Sequence, residues 1–294
     1  MIIAALLLLQ GYSPETEAVM NRSRQQAQER RAATSSARGT KAGGEGATGS
    51  LVALPLPPEV AARLQACLDT AIADPTEGAK VASEWALAGG SYHAAQCRGF
   101  AFSRAEQWDQ AITAFDAGAA EAEKAESSLD AARLWVQAGN AALAGGKPDS
   151  ARGYFDAALG HGLPDGLPKG EVYLDRARAN VALDDLMAAR TDMDVALNQA
   201  PQDPLAWLLS ATLARRMNDL VRAKADIARA GQLSPDDASV ALETGNVAML
   251  TGDEAAARAA WTKVQTIAPD SEQGKAARAA LAQLGAEAPV PQKP

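Results

Sequence analysis

The chain has 294 residues, 47% of them apolar by class but only 4% aromatic, and 69 of them are alanine. With 24 Gly and 2 Cys it is neither collagen-like nor a disulfide scaffold, and its apolar content is too high for wholesale disorder. The net charge of −8 is uneven: residues 1–50 carry six basic and four acidic side chains (+2), leaving 22 against 32 (−10) for the rest. An acidic body with a sequence pI of about 4.9 lacks the basic stripe of a nucleic-acid binder. Alanine is the strongest helix former, so helices packed at short range are favoured over a sandwich or barrel.

Met1 is followed by the apolar run Ile2–Leu9 and then Gln10-Gly11-Tyr12-Ser13-Pro14. Eight apolar residues fit a secretory h-region and fall short of the roughly 20 needed to span a bilayer. Residues 1–13 therefore read as a signal peptide or an apolar N-terminal segment, and export to the periplasm is the expectation. The segment has no Lys or Arg and no clean Ala-x-Ala site, so a cytoplasmic chain with an apolar start, or one tethered to a membrane by the retained segment, stays open. Residues 14–57 form a linker, first basic (Arg22, Arg24, Arg30, Arg31, Arg38) and then Gly/Ser-rich. Gly44-Glu45-Gly46-Ala47-Thr48-Gly49 has the letters of a dinucleotide fingerprint, which must follow a strand and open a helix, but it is flanked by polar low-complexity sequence and reads as linker.

Pro58 suits the first turn of a helix. A degenerate helical pair spans 58–91, its second helix opening at the Asp74-Pro75 cap and stopping at Gly89-Gly90. Beyond it the sequence repeats. Pro201, Pro235 and Pro269 lie 34 residues apart, each closing an amphipathic stretch, and with proline at position 32 the units of 92–269 start at 92, 132, 170, 204 and 238. Position 8 is Gly99, Gly139, Ala177, Ala211 and Gly245; position 20 is alanine in all five; position 27 is Gly118, Ala158, Ala196, Ala230 and Val264. Position 24 carries Phe115, Phe155, Met193, Ile227 and Trp261, and position 4 carries Ala95, Trp135, Tyr173, Trp207 and Ala241. At this alanine frequency, five in five at one column arises in fewer than about one register in a thousand.

This pattern resembles the tetratricopeptide-repeat (TPR) family: a large residue at 4, small residues at 8, 20 and 27, an aromatic at 24 and proline at 32. The first two units depart from it at position 32 (Glu123, Leu163), and carry six and four extra residues, expected to lengthen a helix through Glu121–Glu126 and to form the turn His161–Pro168. The resemblance implies an all-α, right-handed α-solenoid of twelve helices in six pairs. Residues 270–285 read as a capping helix that begins after Asp270-Ser271, and 286–294 as a disordered tail.

In TPR proteins the concave face is built from the first helix of each unit, at positions 2, 5, 6, 9, 12 and 13. Carried over, the partner-binding candidates are Arg104, Arg133, Asn140, Arg178, Arg215, Arg216, Glu243 and Asn246. Asn140 and Asn246 occupy position 9, where chaperone-binding TPRs hold a carboxylate, but the companion lysine at position 5 is replaced by Val136, Leu174, Leu208 and Leu242. The expectation is instead a groove of Leu143, Leu174, Leu208 and Met249 edged by arginine, suited to an amphipathic or acidic peptide. Cys67 and Cys97 fall on neighbouring first helices, either a disulfide if the protein is exported or two small buried hydrophobes. They lack CxxC spacing, and His93 and His161 are isolated, so no metal is expected. HExxH, GxSxG and a complete P-loop are all missing from the sequence, and Gly145-Gly146-Lys147-Pro148 reads as an inter-helix turn. Asp184-Asp185 and Asp236-Asp237 read as helix caps. The reading is a non-catalytic scaffold without cofactors, whose partners are proteins or peptides and not nucleic acid. Its membrane contact depends on the N-terminal segment being retained; the rival is a membrane-tethered structural component of an envelope assembly.

Overall fold

The computed structural model describes residues 56–286. The apolar N-terminal segment, almost all of the linker and the tail beyond Ala286 lie outside the described residues. Thirteen α-helices follow one another there: α1 (Pro58–Ala73), α2 (Pro75–Leu87), α3 (Ser91–Arg104), α4 (Trp108–Lys124), α5 (Ser128–Ala144), α6 (Pro148–Gly160), α7 (Leu167–Ala182), α8 (Leu186–Gln199), α9 (Pro204–Arg216), α10 (Leu220–Leu233), α11 (Ala238–Leu250), α12 (Glu254–Ile267) and α13 (Glu272–Ala286). They form six pairs and a last single helix, an all-α solenoid.

Each pair turns the same way. Position 15 of every unit has positive φ: Glu106 (56°), Gly146 (70°), Asp184 (60°), Asn218 (60°) and Gly252 (81°). Gly, Asn and Asp tolerate this left-handed conformation best. The next residue closes the first helix by donating its amide to a carbonyl five residues back, as from Lys147 to Ala142 (2.8 Å) and from Asp253 to Ala248 (2.9 Å). In the last three units that residue is aspartate, and its carboxylate accepts from the next helix's first turn: Asp185 from Ala188, Asp219 from Arg222 and Asp253 from Ala256. Asp74 and Asp237 cap in the same way.

The extra residues of the first two units are divided between neighbouring elements. α4 ends at Lys124, two residues short of the expected extension, because Ala125-Glu126 turns with Glu126 at φ 56°. The remainder lengthens the start of α5, which begins four residues before the unit start at 132. Likewise α7 takes Leu167 and Pro168 into its first turn, leaving 161–166 as the connection.

The core is a series of overlapping clusters along the solenoid, from Cys67, Trp85 and Cys97 at one end to Trp261, Val264 and Ala277 at the other. Each pair buries its face only against neighbours. Within a unit, positions 8 and 24 have reciprocal sizes. A Cβ added at Gly99 would lie 2.5 Å from Phe115, one at Gly139 2.5 Å from Phe155, and one at Gly245 2.3 Å from Trp261. Where position 8 is alanine (Ala177, Ala211), position 24 is the slimmer Met193 or Ile227. An aromatic ring thus comes this close to the first helix only where the opposing residue has no side chain.

At the amino-terminal end Cys67 of α1 and Cys97 of α3 are joined in a disulfide, with Cα atoms 6.2 Å apart. The bond staples the degenerate pair to the first regular unit, and both residues are fully buried.

Candidate protein-interaction site

The face built from the first helices holds the candidate residues, and they divide into three groups. Arg104 is exposed at the end of α3. Arg133 is exposed on α5 and pairs with Asp130 at 3.3 Å, a carboxylate that also accepts from Ser127 (2.7 Å) and from the Tyr92 hydroxyl (3.4 Å). Asn140 is half-buried one turn before the end of α5.

The second group is locked internally. Arg215 of α9 donates to the buried Glu243 of α11 at 2.7 Å, and the two side chains are 10% and 7% exposed. Asn246 donates to the other Glu243 oxygen (3.0 Å) and accepts from the indole of Trp261 (3.3 Å). This chain fixes α9, α11 and α12 together. It ties three of the residues expected to meet a partner to one another, so they also hold the repeat stack. Sequence reading missed this because the partners are 28 residues apart on successive units.

The third group surrounds a cavity of about 350 Å³ between α5, α7 and α9. Leu143 lies on one side, Val181 and Ala182 form the middle, Leu209 and Leu213 lie on the other side, and Met193 of α8 contributes from the core. Its polar groups are Arg178, Thr212 and Arg216. Arg178 is anchored to the buried Asp175 at 3.0 Å. Arg216 meets Asp184 at 3.8 Å, and Asp184 is 87% exposed, so that pair is held in water. The expected groove of Leu143, Leu174, Leu208 and Met249 is corrected: Leu174 and Leu208 are core residues at 1% and 7% exposure, because position 5 of α7 and α9 turns into the stack. Met249, 39% exposed, does not line the cavity.

Buried carboxylates stiffen the two units behind this cavity. Arg176 grips Asp192 with two hydrogen bonds, and Asn180 donates to the same carboxylate at 2.9 Å. The hydrogen bonds to Asp192 raise the pKa of Arg176 further, against the opposing effect of burial. In the next unit the Ser210 hydroxyl donates to Asp226, and Arg190 reaches across from α8 to Ser210 at 2.9 Å. Burial lowers the pKa of Arg190, with the Arg222 charge adding to the effect. Asp192 and Asp226 both occupy position 23, opposite position 7 of their own unit, a pairing visible in the repeat register only for these two units.

Among the described residues, no group of three or more His, Cys, Asp and Glu side chains is placed to hold a metal. No described helix is long and apolar enough to cross a membrane.

No protein-family model matches the sequence, and neither does any curated protein. Solved structures do match. The chain aligns with PilF of Pseudomonas aeruginosa at a TM-score of 0.61 and 14% identity, covering 75% of this chain and 97% of that one. It aligns with PilW, a type IV pilus biogenesis factor, at a TM-score of 0.61 and 16% identity, covering 75% and 98%. With yeast Tom70 the TM-score is 0.57 at 17% identity, covering 76% and 47%. The chain has the tetratricopeptide-repeat fold. In this TPR solenoid the first helices of units 132, 170 and 204 form the cavity, and the later units are tied shut by Arg215, Glu243 and Asn246. At such identities the likeness is one of fold, and the site's chemistry has to be read from its own residues.

Proposed function

We propose that this protein is a non-catalytic scaffold that captures a partner protein on the first-helix face of its TPR solenoid, in the cell envelope. The observation that carries the reading is the cavity between α5, α7 and α9: an apolar depression with arginines at its edge, next to an internally paired stretch at Arg215 and Glu243. A solenoid presents an extended surface of this kind in place of a single enclosed catalytic cleft. Export is supported by the buried Cys67–Cys97 disulfide, since such bonds persist in oxidising compartments and are rare in the cytosol. The apolar run Ile2–Leu9 supports it independently.

The test is affinity capture from the source cells with wild-type protein and with Arg216→Glu. Arg216 is the variant of choice because reversing Arg215 would strand the buried Glu243. Loss of a specific partner with Arg216→Glu at unchanged melting supports the reading; equal capture by both proteins refutes the placement of the site. Amino-terminal sequencing of the mature protein separates a released scaffold, starting after Ser13 or Ala18, from a tethered one that retains Met1.

A further inference from the structure

The cavity has a cause that can be read in the side chains. At positions 12 and 13, α5 carries Leu143 and Ala144, α7 carries Val181 and Ala182, and α9 carries Arg215 and Arg216. Small residues on the middle helix stand between Leu143 on one side and Arg216 on the other, so the surface drops over α7. Behind the drop lies Met193, 2% exposed. It is an unbranched thioether where three of the other four units place a rigid ring, and it can change rotamer to suit what enters.

Resting on the scaffold reading above, we infer that this cavity is a socket for one bulky aliphatic or aromatic side chain of a partner peptide, and that Arg216 at its rim pairs with a carboxylate on the same peptide. The volume of about 350 Å³ is at the small end of the roughly 300–1,000 Å³ typical of small-molecule sites, room for one large side chain and its flanking backbone. The groups that line the cavity include two arginines and no carboxylate, so the donors facing an occupant favour an acidic peptide over a basic one, although Asp175 and Asp184 pair with those arginines from outside the lining. Of the two arginines, Arg178 is committed to the buried Asp175 and holds its place. Arg216 is the exchangeable one: its partner Asp184 is exposed and 3.8 Å away, and releasing it to water costs little. A peptide carboxylate beside an apolar anchor is better placed, because the anchor excludes water from the rim and strengthens the new pair.

The experiment pans a random-peptide phage library on the full-length protein, then measures affinities of the enriched peptides by fluorescence anisotropy. The expected motif is a Leu, Met, Phe or Trp with Asp or Glu within one helical turn. Ala182→Trp, which fills the socket from an exposed position, is expected to weaken binding by about tenfold or more. Arg216→Gln is expected to weaken it by about threefold to tenfold, and to abolish the effect of changing the peptide's Glu to Gln. If Ala182→Trp alters the melting curve, Val181→Ala serves instead, and weaker binding of the large anchor at unchanged melting supports the socket. Enriched peptides that lack the motif, or that bind Ala182→Trp and Val181→Ala as well as wild type, overturn the socket; if those peptides still respond to Asn140→Ala, the scaffold reading survives it. Failure to enrich any peptide, together with equal partner capture by Arg216→Glu, removes both.

Discussion

The reciprocal sizes at positions 8 and 24 make a quantitative prediction at Gly139. A methyl group there would sit 2.5, 2.8 and 2.9 Å from three ring atoms of Phe155, well inside ordinary contact. Phe155 is fully buried among Ala151, Ala158 and Val172, so its ring has little room to withdraw. Gly→Ala within a helix normally stabilises by about 0.5–1 kcal/mol, and overpacking a filled core costs about 1–3 kcal/mol. The clash wins, and Gly139→Ala should destabilise the protein by about 1–2 kcal/mol. Gly153, helical with nothing within 4 Å of its would-be Cβ, is the internal control: Gly153→Ala should stabilise by about 0.5–1 kcal/mol. Adding Phe155→Met to Gly139→Ala reproduces the Ala177/Met193 pairing of the next unit but one helix pair earlier, and the double variant should be more stable than the sum of its single changes implies. Urea unfolding followed by circular dichroism measures all five proteins: wild type, the three single variants Gly139→Ala, Gly153→Ala and Phe155→Met, and the double variant. If Gly139→Ala is as stabilising as Gly153→Ala, the packing account is refuted.

Reduction of the Cys67–Cys97 bond, whose partners are 30 residues apart, should cost about 3–4 kcal/mol and loosen α1 and α2 first, seen as faster hydrogen exchange there with reductant present. His93 has its pKa lowered by burial, partly offset by Asp130, and its Nδ1 is buried without a partner. The fold therefore favours neutral His93: its contribution is complete above the ordinary value of 6.5 and is lost as pH falls through the lowered one, so stability should decline on acidification from pH 6.5 downward. His93→Gln should flatten that part of the pH–stability curve, and an unchanged slope would show that other groups set it. Arg215→Met should cost about 3–5 kcal/mol by stranding Glu243, and adding Glu243→Met should recover much of it, a cycle read by thermal unfolding.

The repeat was legible in the sequence because each unit solves the same packing problem with nearby residues. Proline at 32, alanine at 20 and an aspartate before a helix act within a few residues of themselves, and their spacing is enough to place them. Asp185 and Asp237 cap as their position before helices suggests. The reciprocity of Gly139 with Phe155 was present in the same columns and needed only that the two be compared. What spacing does not reveal is which charges face water. Arg215 and Arg216 are adjacent, yet one is locked onto Glu243 and the other edges the cavity, because a step of about 100° around α9 turns one toward α11 and the other outward. The cavity is a relative property, produced by Val181 and Ala182 being smaller than their neighbours across two helix gaps, and no single residue announces it. Leu174 and Leu208 illustrate the converse: positions that meet a ligand in other members of the fold are core here.

The most direct test of the central claim, that the first-helix face of the solenoid captures a protein partner, is site-specific photo-crosslinking in the source cells. A photoreactive amino acid is placed at Ala182 beside the cavity, at Asn140 on α5, and at the exposed Lys224 on α10 as a control on a second helix. The account predicts one discrete crosslinked partner from 182 and 140 and none from 224. Crosslinks from 224 alone, or equally from all three positions, would contradict it.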